Sequence, residues 1–94
     1  MLKYKSKLTE SLQLLFPGAK IYLFGSRARG DNFPASDIDI ALDAGSKIDP
    51  QKMLAAAAYI DALNIPYEVG LVDFNAVPQA MRDNILKEGI LWND

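Results

Sequence analysis

The chain contains no cysteine and no histidine, and these two absences narrow its chemistry before any motif is considered. Without cysteine, disulfide bonds and thiolate metal sites are excluded. Without histidine, the commonest general base and the commonest zinc ligand are missing. Catalysis by this chain would therefore depend on carboxylates, hydroxyls, lysine, arginine, backbone N–H groups or a hard metal ion.

The chain also lacks an excess of basic charge, since its formal net charge is -2. No overall positive field would draw it to nucleic acid or to anionic lipid, so any phosphate chemistry needs a local site. No apolar run approaches membrane-spanning length, and the N-terminus has no signal-peptide pattern. With 94 residues, 50% of them hydrophobic, we expect a single folded domain over residues 1–94, located in the cytoplasm.

Hydrophobic periodicity, broken by glycine and proline, predicts an order of helix, strand, strand, helix, strand and helix. The predicted ranges are 3–16, 20–24, 37–42, 50–63, 67–74 and 78–88, with a short strand or packed tail over 90–92. The side chains expected to face inward from the helices are Tyr4, Leu8, Leu12, Leu15, Met53, Ala57, Ile60, Leu63, Met81 and Ile85. This order predicts an α+β fold, in which a small mixed sheet has helices packed mainly on one face.

A Gly-Ser turn follows the first predicted strand directly. Gly25 lets the backbone turn tightly and approach an anion, and backbone N–H groups near Ser26, with its hydroxyl, can donate to phosphate oxygens. Arg27 and Arg29 add two guanidinium groups, which match phosphate geometry. By itself the turn is weak evidence, because a loop with two solvated arginines has the same sequence pattern.

Two aspartates alternate with isoleucines on the second predicted strand. Asp37 and Asp39 therefore share one face, about 7 Å apart along the strand. Two carboxylates so placed repel each other unless a cation lies between them, and carboxylate oxygens favour hard ions such as Mg²⁺. A solvated edge-strand face is the alternative. If the two strands are neighbours, the Gly-Ser turn and the aspartates can face a common metal–phosphate pocket.

These two motifs together resemble the signature of the polymerase-beta-like nucleotidyltransferase superfamily. The likeness is greatest to the minimal nucleotidyltransferases (MNT proteins) that pair with HEPN proteins in prokaryotic toxin–antitoxin modules. It covers nearly the whole chain, from the leading helix to the closing helix. The residues that carry it are Gly25-Ser26-Arg27-Ala28-Arg29-Gly30, followed by Ser36-Asp37-Ile38-Asp39-Ile40.

The resemblance implies an activity and a role for each matching residue. Gly25, Ser26 and Arg29 would hold a nucleoside triphosphate, and Asp37 and Asp39 would bind the divalent metal, Mg²⁺ or Mn²⁺. The reaction it implies is transfer of a nucleoside monophosphate, AMP from ATP, to a hydroxyl of a HEPN partner. The chain would then act as the antitoxin of such a pair.

The third strand departs from the family pattern. Relatives typically read Val-Asp-Leu-Val-Asp, where this chain has Val69-Gly70-Leu71-Val72-Asp73, so the expected third carboxylate falls on Gly70. Glu68 has the same strand parity as Gly70 but lies one pleat repeat away, roughly 7 Å, whereas Asp73 has the opposite parity unless a bulge intervenes. Gly70 could alternatively mark a bulge or close helix packing.

Three hypotheses for function therefore remain open from the sequence. The first is an active nucleotidyltransferase in which Glu68 or Asp73 substitutes for the missing carboxylate. The second is a non-catalytic module that binds nucleotide weakly at most and neutralises a HEPN toxin by contact. The third is a subunit whose site is completed by another chain or domain. Homo-oligomerisation is a further expectation, because small domains often gain stability by pairing. Its apolar candidates, which could instead fill the chain's own core, are Tyr59, Phe74 and Trp92.

Overall fold

Helices and strands alternate along the computed structural model, which describes residues 4–30 and 37–93. In chain order the described elements are α1 Lys5–Leu15, β1 Lys20–Phe24, α2 Ser26–Arg29, β2 Ile38–Asp43, α3 Pro50–Asp61, β3 Val69–Asp73, α4 Gln79–Glu88 and β4 Ile90–Leu91. The predicted order is confirmed, and the turn predicted after β1 contains a short helix, α2. The loop predicted over residues 31–36 lies outside the described residues. None of the described helices is long and apolar enough to cross a membrane.

The strands form one mixed sheet in the order β3-β2-β1-β4. The inner strand β1 runs antiparallel to both of its neighbours, β2 and β4. The other inner strand, β2, runs parallel to the edge strand β3. Phe24 at the end of β1 pairs with Asp39, and Asp39 pairs on its other side with Gly70. The three segments that carry the sequence motifs therefore meet at one end of the sheet.

The larger hydrophobic core lies between the sheet and the helices α1 and α3. Every second side chain of β2 faces this core, because successive residues of a strand point to opposite sides of the sheet. α1 and α3 supply the other half of the core through residues spaced three or four apart. The side chains that are fully buried in this cluster include Leu8, Leu12, Ile21, Ile38, Ile40 and Leu42.

Helix α4 packs on the opposite face of the sheet. Its Ile85 joins Ala41 and Phe74 in a second, smaller buried cluster, which Tyr22 and Phe24 also contact. The prediction of helices mainly on one face therefore holds for α1 and α3, with α4 as the helix that covers the other side. Asp39 belongs to this second face, yet it lies outside the second cluster and stays partly exposed.

The predicted start of α3 is confirmed. Two predicted inward positions are wrong, Ala57 in α3 and Leu15 in α1. Asp49 caps the helix, its Oδ1 accepting from the Gln51 N–H at 2.9 Å, and Pro50 is the first helical residue. Ala56 is buried in place of the predicted Ala57, because the inward stripe follows Ala56 and Ile60 at a spacing of four. Leu15 of α1 is 38% exposed, since Phe16 takes the buried position at the end of that helix.

The candidate aromatic residues for oligomerisation divide between the core and the surface. Phe74 and Trp92 are buried within the chain, whereas Tyr59 is 44% exposed. Trp92 is held in place by the neighbouring Asn93, whose Oδ1 accepts from the Ile21 N–H at 2.7 Å while its Nδ2 donates to the Ala19 carbonyl. The segment after α4 is therefore part of the sheet and core.

Candidate functional site

The turn after β1 has a backbone conformation that only glycine adopts readily. Gly25 has φ 77° and ψ -157°, and α2 begins at the next residue, Ser26. The N–H groups of Ala28 and Arg29 bond back to the Gly25 carbonyl, each at 3.2 Å. The amide of Ser26 precedes these first intrahelical donors, and the leading amides of a helix have no partner within the helix.

Gly25 and Asp39 approach each other closely across the β1–β2 pair. A Cβ atom at position 25 would lie 2.5 Å from the Asp39 Oδ2, too close for a carbon atom unless the carboxylate moves. Glycine is thus favoured here for two reasons, its positive φ and the proximity of the Asp39 carboxylate, which any larger residue would displace. The structure therefore brings the predicted phosphate-binding turn directly against one of the two predicted metal-binding residues.

Asp37 and Asp39 differ in their surroundings although both lie at the start of β2. Asp37 is exposed just before the strand, whereas Asp39 is partly buried within it. Burial raises the pKa of the Asp39 carboxyl above its ordinary value of 3.8, and the negative charge of Asp37 raises that pKa further. Both effects penalise the ionised carboxylate, and a bound cation would offset both.

The donor set of Asp37 and Asp39 fits a hard divalent cation held with the help of substrate phosphates. Mg²⁺ in phosphate-transfer sites is commonly bound through one or two carboxylates, with substrate oxygens completing the shell. Such a cation would neutralise the charge of the nucleotide phosphates. Over residues 4–30 and 37–93, no group of three or more Asp, Glu, His or Cys side chains is placed to hold a metal. The third carboxylate expected from the family resemblance would stand at Gly70.

Gly70 lies beside Asp39 in the parallel β2–β3 pair. A Cβ atom at position 70 would lie 3.4 Å from the Asp39 Oδ1, and it would meet no other atom of the described residues within 4 Å. The register from Ile38↔Val69 to Leu42↔Asp73 is unbroken, so Gly70 marks neither a bulge nor a helix contact. Among the described residues, Asp39 alone therefore borders the position of the expected third carboxylate.

Asp73, the first of the two candidate substitutes, lies on the opposite sheet face from Gly70, as its strand parity predicts. It is 9% exposed, and its carboxylate is engaged by the backbone of two loops. Its Oδ2 accepts from the Ile48 N–H at 2.7 Å, and its Oδ1 accepts from the Asn75 N–H at 3.0 Å. These contacts give Asp73 a structural role away from the two predicted metal-binding aspartates.

Glu68, the second candidate, lies just before β3 and is exposed. Its carbonyl accepts from the Ile38 N–H at 2.8 Å, which places its backbone beside the start of β2. The Glu68 backbone thus lies at the same end of the sheet as Asp37 and Asp39, two residues before Gly70.

The two arginines of the Gly-Ser motif have different partners. The Arg27 guanidinium lies over the Tyr67 ring, with its Cζ 4.7 Å from the ring centroid. Arg29 is 3.7 Å from the Glu88 carboxylate of α4, and both side chains are nearly half exposed. Sequence reasoning missed Glu88 and Tyr67, and no local pattern could have found them, because both contacts join distant parts of the chain.

Known proteins of similar sequence and structure identify this arrangement. A family model described as "Polymerase beta, Nucleotidyltransferase" matches residues 6–92. No curated protein sequence matches the chain significantly. A toxin–antitoxin crystal structure with AMP-PNP superposes with a TM-score of 0.82 at 29% identity, over 98% of this chain and 73% of that one.

Two further solved structures are similar. The tri-AMPylated Shewanella oneidensis HEPN toxin in complex with MNT antitoxin gives a TM-score of 0.74 at 26% identity, over 95% of this chain and 68% of that one. A proposed nucleotidyltransferase from Sulfolobus solfataricus gives a TM-score of 0.62 at 26% identity, over 97% of this chain and 78% of that one. The chain therefore belongs to the polymerase beta nucleotidyltransferase family, and it resembles the MNT type found in complexes of MNT antitoxins with HEPN toxins.

Proposed function

We propose that this chain is a metal-dependent nucleotidyltransferase that transfers AMP from ATP to a hydroxyl of a HEPN partner in the cytoplasm, and that it acts as the partner's antitoxin. The observation that carries the proposal is the contact between Gly25 and Asp39. It joins a turn suited to phosphate with a carboxylate suited to a divalent metal. The similar complexes, one with AMP-PNP and one with an AMPylated HEPN toxin, support the choice of nucleotide and acceptor.

Each residue of the site would have a separate task in this reaction. The backbone at Gly25 and the Ser26 hydroxyl hold the triphosphate, and Arg29 adds positive charge on the same short helix. Asp37 and Asp39 hold Mg²⁺ or Mn²⁺, which supplies neutralisation of the phosphate charge when bound. The acceptor oxygen forms a bond to the α-phosphorus, the bond to pyrophosphate breaks, and the hydroxyl proton leaves to solvent or to a nearby carboxylate.

A second candidate function is supported by Gly70. Without the third carboxylate, the chain would bind metal and nucleotide but transfer slowly, because removing a general base typically costs about 10²–10⁴-fold in rate. In that case it would neutralise a HEPN toxin by direct binding. The two candidates share the partner and the nucleotide site, and they differ in turnover and in how the toxin is neutralised, by AMP transfer or by binding.

Transfer of label distinguishes the two candidates. The purified chain is incubated with Mg²⁺, ATP labelled in its α-phosphate and a HEPN protein encoded by the same genome. We expect label on the HEPN protein, lost in Asp37→Asn and retained in the control Asp83→Asn, which makes the same charge change at an exposed position of α4. Absence of transfer by the wild-type chain, with transfer by Gly70→Asp, would reject the active enzyme in favour of the binding module.

Whether Glu68 substitutes for the missing carboxylate is tested in the same assay. Glu68→Gln keeps the size of the side chain and removes its charge. If Glu68 acts as the base, the rate should fall by about 10²-fold or more while AMP-PNP affinity changes little. An unchanged rate would exclude Glu68 and leave the site with its two aspartates.

A further inference from the structure

Arg27 is the arginine of the Gly-Ser motif that has no task in the proposed function. Its guanidinium lies over the Tyr67 ring, with the Cζ 4.7 Å from the ring centroid. Both side chains are partly buried, whereas Arg29 is exposed. A planar guanidinium is attracted to the face of an aromatic ring, and the attraction grows as water is excluded. Arg27 is therefore engaged by the protein itself, on the far side of α2 from the Arg29 contact with α4.

Helix α2 is too short to hold its own position on the sheet. It has four residues, Ser26–Arg29, and an isolated helix of this length is not stable in water. The backbone hydrogen bonds that close it join residues 25–30 to one another. These bonds set the shape of the turn but not its place relative to the strands. That place depends on side-chain contacts, among them Ala28 against the larger core and Arg27 on Tyr67.

The Tyr67 ring is a fixed support for this contact. It packs against the larger core and makes an edge contact with the Tyr4 ring, at 6.0 Å between centroids. The carbonyl of the next residue, Glu68, accepts from the Ile38 N–H at 2.8 Å. Because Asp39 follows Ile38 in β2, the ring beneath Arg27 has a defined position relative to Asp39.

The position of α2 matters because its leading end packs directly against Asp39. A Cβ atom at position 25 would lie 2.5 Å from the Asp39 Oδ2. Ser26, which holds the triphosphate in the proposed function, is the next residue. The phosphate-holding turn and the metal-holding carboxylate must engage the same nucleotide, and a misplacement of about 1 Å can cost 10²-fold in rate.

We infer that Arg27 and Tyr67 are positioning residues of the nucleotide site. Their contact fixes α2 against the segment before β3, so that Ser26 reaches the phosphates of a nucleotide whose metal is held by Asp39. The inference rests on the proposed function for the nucleotide site, and it requires nucleotide binding but no turnover. It assigns Arg27 to the protein and leaves Arg29 as the guanidinium available to phosphate.

Hydrogen exchange of backbone amides, followed by NMR, tests the placement of α2 without any nucleotide. Tyr67→Leu removes the ring, Tyr67→Phe keeps it, and Tyr59→Leu makes the leucine change at a 44% exposed position of α3. We expect the amides of Ala28, Arg29 and Gly30 to exchange about 5-fold faster or more in Tyr67→Leu alone. Unchanged exchange in β1 and β2 would show that the release is local and that the variant is folded.

Calorimetry with AMP-PNP and Mg²⁺ tests the consequence for the site. Tyr67→Leu should bind about 5-fold or more weakly, and Tyr67→Phe and Tyr59→Leu should stay within about 2-fold of wild type. The affinity for Mg²⁺ alone should hold in all three, because Asp37 and Asp39 do not belong to α2. A general folding defect would lower both affinities together.

A double variant distinguishes positioning from direct contact with the nucleotide. Arg27→Lys keeps the charge and loses the planar group, so it should weaken AMP-PNP binding about as much as Tyr67→Leu does. Since both changes remove the same contact, the double variant should bind no more weakly than either single variant. Losses that multiply would place Arg27 on the nucleotide itself and overturn the positioning role.

The remaining outcomes separate this inference from the proposed function. Unchanged exchange in α2 of Tyr67→Leu, or faster exchange without weaker AMP-PNP binding, would overturn the inference. Equal loss of Mg²⁺ and AMP-PNP affinity would overturn it as well. AMP-PNP binding without label transfer would reject the proposed activity and leave the inference standing. A wild-type chain that binds no AMP-PNP would reject the nucleotide site and both proposals with it.

Discussion

Gly70 lies directly beside Asp39 in the parallel β2–β3 pair, and a Cβ atom at position 70 would come within 3.4 Å of the Asp39 Oδ1. This relationship shows that a carboxylate at position 70 would share a site with Asp39. Under the proposed function, Gly70 therefore leaves out one ligand of the metal site.

Restoring that carboxylate should strengthen the site. In Gly70→Asp we expect Mg²⁺ affinity to rise by about 10-fold and AMP transfer to rise by about 10²–10⁴-fold, because a metal ligand and a base return together. Titration calorimetry measures the first quantity and label transfer the second. Gly70→Asn, which has the same size without the charge, is the control and should give neither gain. An unchanged metal affinity in Gly70→Asp would contradict the three-carboxylate arrangement.

Replacing Gly25 should destabilise the fold as well as the site. Alanine must adopt φ 77° and ψ -157° there, a conformation that costs about 1–3 kcal/mol, and its Cβ collides with the Asp39 carboxylate. We expect Gly25→Ala to lower the free energy of unfolding by at least that amount, measured by urea denaturation. The same change in an Asp39→Ala background should cost less, because the collision is gone. Equal costs in the two backgrounds would show that the contact contributes nothing.

The stability of the metal-free chain should depend on the ionisation of Asp39. The folded-state pKa of Asp39 is raised by burial and then by the charge of Asp37, so the folded state holds this proton more tightly than the unfolded state does. The resulting stabilisation is complete below the unfolded pKa and is lost as the pH rises through the folded pKa.

Asp39→Asn removes this dependence and therefore measures it. Without metal, the Tm of the variant should exceed that of the wild type by more at pH 7 than at pH 4. With Mg²⁺ the wild type should gain Tm at pH 7 and the variant should gain little. A variant whose Tm advantage is the same at both pH values would contradict the raised pKa.

The ion pair between Arg29 and Glu88 should compete with the nucleotide. Glu88→Gln releases Arg29 from this carboxylate, and half-exposed pairs contribute about 0–1 kcal/mol. AMP-PNP affinity should therefore rise by up to about 5-fold, with little change in stability. Asp83→Asn controls for the change in net charge on α4 and should leave the affinity unaltered. An equal rise in both variants would assign the effect to long-range charge and remove Arg29 from the site.

Asp73 should matter for stability and not for nucleotide binding. Its carboxylate accepts from the backbone N–H groups of Ile48 and Asn75. Asp73→Asn replaces one acceptor with a donor, so a partly buried N–H loses its partner at a cost of about 1 kcal/mol. We expect that loss in urea denaturation, with AMP-PNP affinity within about 2-fold of wild type. A selective loss of nucleotide affinity would instead support Asp73 as the substitute carboxylate.

Local sequence patterns predicted the elements that carry the site. The alternation of Asp39 and its isoleucine neighbours identified β2 and its buried face, and Asp49-Pro50 identified the start of α3. These features depend on residues adjacent in the chain, so periodicity and capping preferences were sufficient. The inward stripe of α3 was placed one residue off at Ala57, because several consecutive alanines make the apolar face of that helix ambiguous.

The sequence by itself determined the family, the α+β order and the position of Gly70 in the third strand. Only the tertiary structure decided that Gly25 touches Asp39, that Arg29 pairs with Glu88 and that α4 packs on the sheet face opposite α1 and α3. The physical reason is that elements form through short-range periodicity, whereas the contacts between them depend on strand register and on side chains far apart in the chain. The glycine at the expected carboxylate position was thus visible in the sequence, and its closeness to Asp39 was visible only in the fold.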